Sequence, residues 1–459
     1  MLHWILVACG PGRIEIPAEV TPPIDPSIHL EIPAPTGPVQ ASELVWRPDG
    51  NVSSLVRVGW TQSGPASVRV EYSFDDGVWE STPTAEYGAG TWERVLAGIP
   101  FGTSATWRVV LDEDAVVDGG TLTTGPLPPG LPVARITTSD PDRWDADGKY
   151  LLASINQEQG GWVRGTFWTF LMDRKGRMVW AHPAPQKHWT LFAQLSPAGD
   201  AIVWDEQTYW SEFHGGQGST VHRWKLDREL EEIATPGLHH AFVELPDGTI
   251  AWGAKDFSEG EVLMEKPPGE AEGHAIWSCG RDWLFIPECE SNGLYYHEPT
   301  DSYLYSFYTN NSVVEVDRAL GSSRWWAGDA WWGYRFDPSG TQFTWQHGVS
   351  YTDTGTLLLS SSFEAGGAGI ETWLLEYGVD HKNNTLHLMW ADSAGIRAET
   401  NGQAWRLPGG NTLHLLGSAS IVREVEPGGD DVWVADFEGT RLLGQGEMVR
   451  DLYGLLDAP

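Results

Sequence analysis

Basic residues are scarce in this chain of 459 residues. Lysine and arginine together number 29 against 63 aspartates and glutamates, which gives a formal net charge of −34. A surface of that charge repels nucleic acid and anionic lipid, so we expect no nucleic-acid partner. Any anionic substrate must be held by local cations that overcome the field of the whole protein.

Several sequence signals are also missing. No apolar run is long enough to span a membrane, and no long segment carries apolar residues at the spacing of an amphipathic helix. There is no glycine-rich phosphate loop and no nucleophile elbow. Glycine and tryptophan are abundant instead, with 53 and 26 residues. These features predict an all-β protein, and the length predicts two or three domains.

Cysteine is rare, with three residues, and Cys9 ends the apolar run "ILVAC". This run resembles the lipobox of bacterial lipoproteins, in which the cysteine becomes the lipidated first residue of the mature chain. Eight residues precede Cys9 and none is lysine or arginine, so residues 1–9 are interpreted as a truncated lipoprotein signal. The alternative is a chance cysteine in an apolar N-terminus.

A lipobox implies export, to the periplasm or to an outer-membrane or cell-surface position, with membrane contact only through a lipid anchor. Cys279 and Cys289 could then form a disulfide across a short loop, because such compartments are oxidising. Residues 10–40 are proline-rich and lack periodicity, so we interpret them as a tether.

Residues 41–126 predict a small β-sandwich, because "SLVRVGWTQ", "ASVRVEYSF" and "ATWRVVLD" alternate apolar and polar residues between turn signals. The stretch "LAGIPFGTSATWRVV" resembles the fibronectin type III and immunoglobulin-like pattern. Ile99, Pro100 and Gly102 form its turn, and Trp107 stands at the aromatic corner position. The segment "GPLPPGLP", Gly125–Pro132, marks a domain boundary.

Residues 133–459 repeat a unit in which a large apolar residue, a short Asp/Gly/Pro turn and an apolar strand follow one another. The leading residues are spaced by 51, 50, 51, 55 and 56 positions; they are Trp144, Leu195, Leu245, Tyr296, Tyr351 and Leu407. Four short strands per unit, six times over, predict a six-bladed β-propeller behind the sandwich. Two stacked sandwiches are the alternative.

Polar residues recur four to seven positions before these leading residues, where a propeller places the mouth of its central channel. Four of the 14 histidines of the chain lie in this window. The candidates are Thr138, Asp140, His188, His239, His240, Glu290, Asn292, His347 and Gln403. Such a convergence predicts a ligand site. Alternatively, these side chains only bond the inner strands and water.

The units "HHAFVELPDGTIAWGA", "NGLYYHEPTDSYLYSFYTNNSVVEVDR", "QHGVSYTDTGTLLLSS" and "NGQAWRLPGGNTLHLL", with the closing "VRDLYGLL", resemble the bacterial arylsulfate sulfotransferase family. The resemblance implies sulfuryl transfer between phenolic compounds, without a nucleotide donor and without a cofactor. It implies that His347 is the transiently sulfated nucleophile, and that His239 or His240 serves as acid or base on the phenol. The implied partners are small phenols and aryl sulfates.

Two positions depart from the family pattern. Glu290 stands where the family has histidine, two residues before Asn292, and Tyr308 stands where it has arginine. A carboxylate near a sulfate is unfavourable, so a nearby cation would have to compensate for Glu290. The candidate cations are Lys255, Arg281, Arg324 and Arg335. The aromatic run Ser322–Phe336 could stack a phenol, or it could simply pack the blade.

Two other functions stay open. The departures at Glu290 and Tyr308 are compatible with an inactive propeller that binds a ligand or partner. A metal site built from His239, His240, Glu290 and His347 is a weaker possibility, since only the adjacent histidines have a tight spacing. The "DADG" stretch, Asp145–Gly148, is interpreted as a turn rather than a calcium loop. The sequence does not predict the oligomeric state.

Overall fold

The computed structural model describes residues 38–75, 77–112, 115–208, 218–226, 228–256, 260–283, 289–364 and 370–456. Their regular secondary structure is almost entirely β-strand, as the sequence predicts. Within these described ranges, helical structure is confined to the short helix α1 (Cys279–Asp282) and to 3-10 turns at Glu298–Thr300, Gly417–Ala419 and Tyr453–Leu455. The predicted signal, with Cys9, and the tether up to residue 37 lie outside the described residues.

The first eight strands form the predicted sandwich. They are β1 (Ala41–Pro48), β2 (Val56–Gln62), β3 (Ala66–Asp75), β4 (Val78–Ser81), β5 (Ala85–Tyr87), β6 (Gly90–Leu96), β7 (Ser104–Leu111) and β8 (Ala115–Thr123). One sheet has the order β1-β2-β6; the other has the order β4-β3-β7-β8, with β5 on the edge of β3. Trp60 and Trp107 are buried between them, because alternate residues of each strand face inward.

The remaining strands start after the proline-rich boundary. They are β9 (Arg135–Ser139), β10 (Tyr150–Gln159), β11 (Phe167–Asp173), β12 (Met178–Pro183), β13 (His188–Trp189), β14 (Ala193–Leu195), β15 (Ile202–Thr208), β16 (Thr220–Trp224), β17 (Glu231–Ala234), β18 (Leu238–Glu244), β19 (Ile250–Asp256), β20 (Gly260–Lys266), β21 (His274–Ser278), β22 (Ser291–His297), β23 (Ser302–Phe307), β24 (Ser312–Asp317) and β25 (Ser322–Ala327). Then follow β26 (Arg335–Asp337), β27 (His347–Tyr351), β28 (Leu357–Glu364), β29 (Ile370–Asp380), β30 (Thr385–Ser393), β31 (Gln403–Arg406), β32 (Thr412–Leu416), β33 (Ile421–Val425), β34 (Asp431–Asp436), β35 (Arg441–Leu443) and β36 (Glu447–Val449).

These strands form a β-propeller. In the part of the chain that the structure describes they make six sheets of four or five strands, one for each predicted repeat. Within most sheets the strand order follows the chain order, from an innermost strand outward, as in β18-β19-β20-β21. The innermost strands of successive sheets contact one another around the channel. Stacked hydrophobic clusters between neighbouring sheets form the core.

Two chain segments close the ring. Strands β35 and β36, near the C-terminal end, supply the innermost edge of the sheet formed by β10, β11 and β12. Strand β9, near the start of the propeller, supplies the outermost edge of the sheet that ends in β34. The first and last sheets are therefore both composites of distant segments, which removes free sheet edges at the junction.

This closure corrects the prediction for the first repeat. Thr138 lies in β9 and Asp140 follows it, so both are at the outer edge of the last sheet and not at the channel. The leading residues of the other repeats also differ from the prediction. These leading residues lie within the innermost strands or just after them, and not before them. The polar candidates therefore lie at the starts of the innermost strands, as His347 does in β27. Sequence periodicity identifies the repeat, but it does not show where along the repeat each sheet begins.

The sandwich docks on the first propeller sheet. Val95 and Ala97 join Tyr150 in one hydrophobic cluster. At its edge the Asp75 carboxylate accepts hydrogen bonds from both terminal nitrogens of Arg177, at 2.7 and 2.8 Å. The two domains therefore share one core and a bidentate ion pair.

Candidate functional site

Six residues from neighbouring innermost strands and their neighbours surround one end of the channel. We call this set the histidine mouth; it comprises His239, His240, Lys255, Glu290, Tyr308 and His347. Its members come from three successive sheets. The ring of His240 lies 6.0 Å from that of Tyr308, and Lys255 and His347 both act on the charge state of His240.

His347 is held on both ring nitrogens. Its Nδ1 lies 2.9 Å from the carbonyl oxygen of Trp345, and its Nε2 accepts a hydrogen bond from the backbone N–H of Asn401 at 3.2 Å. A carbonyl can only accept, so Nδ1 carries the proton and Nε2 carries the lone pair. Burial lowers the pKa of His347 to about 4. The imidazole is therefore neutral at pH 7.

The residue after His347 must be glycine. Gly348 has a φ of +56°, a region that side chains rarely adopt, and a Cβ atom there would overlap the Cα of Gln403. Gln403, predicted as a channel residue, begins the next innermost strand, and its Oε1 accepts a hydrogen bond from the Gly446 N–H at 2.7 Å. The "QHG" sequence thus allows two inner strands to approach closely beside the histidine.

His240 is buried and has a left-handed backbone, with a φ of +66°. Gln207 supports this turn from the preceding sheet, because its side chain accepts from the His240 N–H and donates to the His240 carbonyl, both at 3.1 Å. The ring contacts Trp162 edge-on, with centroids 5.7 Å apart. Burial lowers the pKa of His240 well below its usual value, and the positive charges that His239, His347 and Lys255 can carry lower it further.

His239 is buried against a carboxylate. Its Nδ1 lies 3.3 Å from an oxygen of Glu261, and both side chains are fully enclosed. Glu261 also accepts hydrogen bonds from the hydroxyls of Ser291, at 2.6 Å, and Tyr305, at 3.0 Å. This network fixes the orientation of the His239 ring, so we interpret His239 as a positioning residue beside His240.

The unexpected glutamate has a cationic partner. Glu290 accepts from Lys255 Nζ at 2.5 Å and from the hydroxyl of Tyr308. Burial raises the pKa of Glu290, but these hydrogen bonds outweigh burial and the pKa lies below its usual value. Burial and Glu290 together raise the pKa of Tyr308. Lys255 is therefore the nearby cation that compensates Glu290.

The other candidate cations have carboxylate partners or exposed positions of their own in the described structure. Arg281 pairs with Asp282 in α1, and Arg324 pairs with Glu315 and Asp317 in the outer strands of its sheet. Arg335 is exposed in β26, at the outer edge.

The tryptophan run and two further predicted polar residues, Asn292 and His188, contact other parts of the protein or solvent. Trp325 is buried while Trp331 and Trp332 are exposed. Asn292 joins two sheets, with its amide donating to the Gln346 carbonyl at 2.7 Å. His188 pairs with Glu206 of the second sheet.

Three residues of this region were not singled out from the sequence. They are Asn401, which bonds Nε2 of His347; Glu261, which orients His239; and Trp162, which contacts His240. The "NGQ" stretch before Gln403 was a usable signal, because Asn401 has a φ of +56° and asparagine tolerates such a turn. No group of three or more possible metal ligands converges in the described ranges, so the proposed four-residue metal site is not assembled there.

The predicted cysteine pair forms a disulfide between Cys279 and Cys289. The bond connects the start of α1 to the segment that precedes β22, and so ties the third and fourth sheets together close to Glu290. Among the residues that the structure describes, no helix is both long and apolar enough to cross a bilayer.

Comparison with protein families found no match, and comparison with curated proteins found none either. Solved structures are similar at low identity. A protein of unknown function from Bacteroides caccae is 15% identical with a TM-score of 0.43, over 65% of this chain and 98% of that one. An auxiliary nutrient binding protein from Bacteroides thetaiotaomicron is 10% identical with a TM-score of 0.37, over 89% and 91%. A β-propeller domain from Myceliophteria thermophila is 12% identical with a TM-score of 0.34, over 66% and 99%.

Proposed function

We propose that this protein is a sulfuryl transferase that moves a sulfuryl group between phenolic compounds through a sulfated His347. The observation that carries the proposal is the state of that ring. Its Nδ1 proton is held by the Trp345 carbonyl, and its neutral form leaves the Nε2 lone pair as the nucleophile. A neutral imidazole fixed in one tautomer is what a two-step transfer requires at pH 7.

In the first step Nε2 of His347 attacks the sulfur of an aryl sulfate. The N–S bond forms, the S–O bond to the ring breaks, and the phenolate leaves. In the second step the oxygen of an acceptor phenol attacks the same sulfur, the new S–O bond forms and the N–S bond breaks. The acceptor proton passes to His240, which is neutral in the free protein, and from there to the phenolate of the next donor.

The surroundings of His240, the proposed proton acceptor, suit an aromatic substrate. The edge of Trp162 and the ring of Tyr308 flank His240, and aromatic rings of this kind pack against phenols. The Tyr308 hydroxyl and the Lys255 ammonium are donors for the sulfate oxygens, although both are engaged by Glu290 in the free protein. A bound sulfate must therefore compete with Glu290 for these donors.

The same geometry supports a second candidate, a propeller that binds an aryl ligand without turnover. Glu290 neutralises Lys255, and the Asn401 N–H already occupies the lone pair of His347. If neither contact yields to substrate, the mouth retains aromatic rings for binding but lacks a free nucleophile.

A release assay separates the two candidates. The purified chain is incubated with 4-nitrophenyl sulfate and phenol, and nitrophenolate release is followed for wild type and His347→Ala. His381→Ala is the matched control, since His381 is an exposed histidine at the outer edge of the same sheet. Release by wild type and by His381→Ala, but not by His347→Ala, supports transfer. No release, together with saturable binding of the aryl sulfate, supports the second candidate. Release by His347→Ala at the wild-type rate contradicts the role of His347.

We also propose that the protein is exported and anchored through a lipid on Cys9. The disulfide between Cys279 and Cys289 supports an oxidising compartment, and the apolar run before Cys9 supports the anchor. Fractionation tests this: wild type is expected with membranes, and Cys9→Ala is expected to lose that association. Membrane association that Cys9→Ala retains would contradict the anchor.

A further inference from the structure

The channel opens into a cavity of about 810 Å³ at the end away from the histidine mouth. The innermost strands run in one direction, since their beginnings contact one another, as Ser291 contacts His239, and their ends do so too, as His297 contacts Tyr351. The ends of the strands and the turns that follow them line most of this cavity, which we call the distal cavity. Gly348 and Gln403, near the starts of two innermost strands, also line it. Its volume is in the range of sites that enclose small organic ligands.

Aromatic rings form much of its wall. The ring centroids of His297 and Tyr351 are 4.5 Å apart, and those of Tyr295 and Trp405 are 5.8 Å apart. All four side chains line the cavity. Electron-rich faces of tyrosine and tryptophan attract other rings and organic cations.

The charged groups of the distal cavity have one sign. Its described lining contains four carboxylates, Glu244, Glu298, Asp353 and Glu447, and neither lysine nor arginine. Glu298 and Asp353 stand exposed at the rim, whereas Glu447 lies deeper and accepts from the Leu195 N–H. The chain as a whole carries −34, so the surrounding field adds to this local potential.

One carboxylate oxygen has no hydrogen bond. Glu244 is only 7% exposed, and its Oε1 accepts from Arg223 Nε at 3.2 Å. Its Oε2 is buried and has no partner within the described structure. A buried carboxylate oxygen without a donor is unfavourable, and Glu244 would relieve that cost by turning this oxygen toward an N–H group of a ligand in the cavity.

We propose that the distal cavity binds a small organic cation, a protonated amine carried on an aromatic or apolar body. The ammonium group lies among the carboxylates, with Glu447 as its deepest charged partner, and the body of the ligand packs against Tyr295, Tyr351 and Trp405. An aryl sulfate is excluded by the charge of the lining. The inference is independent of sulfuryl transfer, because none of the residues assigned to that reaction lines this cavity.

Three probes of one shape test the charge requirement. Phenethylamine, phenethyl alcohol and phenylacetate are titrated into the full chain by calorimetry at about pH 8. At that pH the amine is protonated, and Glu447, whose pKa burial raises to about 7, is mostly ionised. We expect saturable binding of the amine, at least tenfold weaker binding of the alcohol, and none of the acid. Equal affinity for amine and alcohol would indicate a site for neutral ligands such as sugars and would overturn the proposal. So would the lack of saturable amine binding up to about 10 mM.

Two variants locate the bound amine. Glu447→Gln keeps the acceptor for Leu195 but removes the charge, and we expect it to weaken amine binding roughly tenfold or more. Asp353→Asn alters only an exposed turn, so it folds regardless, and we expect a smaller loss of a few-fold. Glu290→Gln, at the histidine mouth, is the control and should bind the amine as wild type does. If Asp353→Asn and a folded Glu447→Gln both bind like wild type, or if Glu290→Gln alone weakens binding, the distal cavity is not the site.

Discussion

The Nε2 atom of His347 lies 3.2 Å from the backbone nitrogen of Asn401, across the boundary between two propeller sheets. This contact and the bond from Nδ1 to Trp345 fix the ring in one tautomer and one orientation. The contact also occupies the lone pair that would attack sulfur. The proposed reaction therefore requires the Asn401 N–H to give way when substrate binds, and it makes the protonation state of His347 the first property to test.

The pH dependence of turnover follows from the pKa of His347. Burial lowers that pKa to about 4, so the nucleophilic neutral form is complete above about pH 5 and is lost as pH falls through 4. We expect kcat/KM for 4-nitrophenyl sulfate to be flat from about pH 5 to 7 and to fall about tenfold for each unit below 4. An acid limb centred near pH 6.5 would mean that an ordinary, exposed histidine limits the rate.

Neutralising Glu290 should favour an anionic substrate. Glu290→Gln removes the charge that pairs with Lys255 while retaining an oxygen for Tyr308. We expect kcat/KM for the aryl sulfate to rise about tenfold, because a like charge is removed from a partly buried site and Lys255 is released. Glu438→Gln, an exposed change at the outer edge of the last sheet, is the control and should leave the rate unchanged. A lower rate in Glu290→Gln would assign the carboxylate a direct role in the reaction.

The glycine after His347 should be indispensable. Gly348→Ala combines a left-handed φ with an overlap on the backbone of Gln403, whereas Gly355→Ala has a φ of +77° but open space around it. We expect Gly355→Ala to lose about 1 kcal/mol of unfolding free energy and Gly348→Ala to lose about 3 kcal/mol or more. Denaturant unfolding of both variants measures the difference. Equal losses would show that the two inner strands can move apart.

The docking of the sandwich should weaken in acid. The Arg177 guanidinium and Lys175 hold the pKa of Asp75 at about 2, below its usual 3.8. A lowered folded-state pKa stabilises the protein above about pH 4, and that contribution is lost as pH falls toward 2. We expect Asp75→Asn to lower the free energy of unfolding by about 1–2 kcal/mol at pH 7 and by almost nothing at pH 2, as measured by denaturant unfolding at both pH values. A loss that is the same at both pH values would indicate packing rather than the ion pair.

The sequence was most informative about the repeats and least informative about the strand pairing that closes the propeller ring. Turns such as "TDTG" and the alternating strands predicted the sandwich, the propeller and the channel position of His347. Thr138 was misassigned because β9 pairs with β34, nearly 300 residues away, and no local pattern reports such a pairing. For the same reason, nothing in the first repeat indicated that its innermost strand comes from residues 447–449.

The partners of the predicted site residues were harder to predict than the residues themselves. The sequence indicates that Glu290 needs a nearby cation, but it offers four candidates. Only the fold shows that Lys255 pairs with Glu290 while Arg281 pairs with Asp282. Asn401 bonds His347 through its backbone, so its only sequence signal is the tolerance of asparagine for a left-handed turn. The distal cavity depends on the ends of several inner strands, and no single motif marks it.

The central claim is that His347 carries the sulfuryl group, and peptide mapping after brief exposure to an aryl sulfate tests it most directly. The full chain is mixed with 4-nitrophenyl sulfate without acceptor, quenched in base to preserve an N–S bond, digested and analysed by mass spectrometry. We predict that the peptide containing His347 gains the mass of one sulfuryl group, and that added phenol removes it. Nitrophenolate release with this peptide unmodified, or with the sulfuryl group on another residue, would contradict the account.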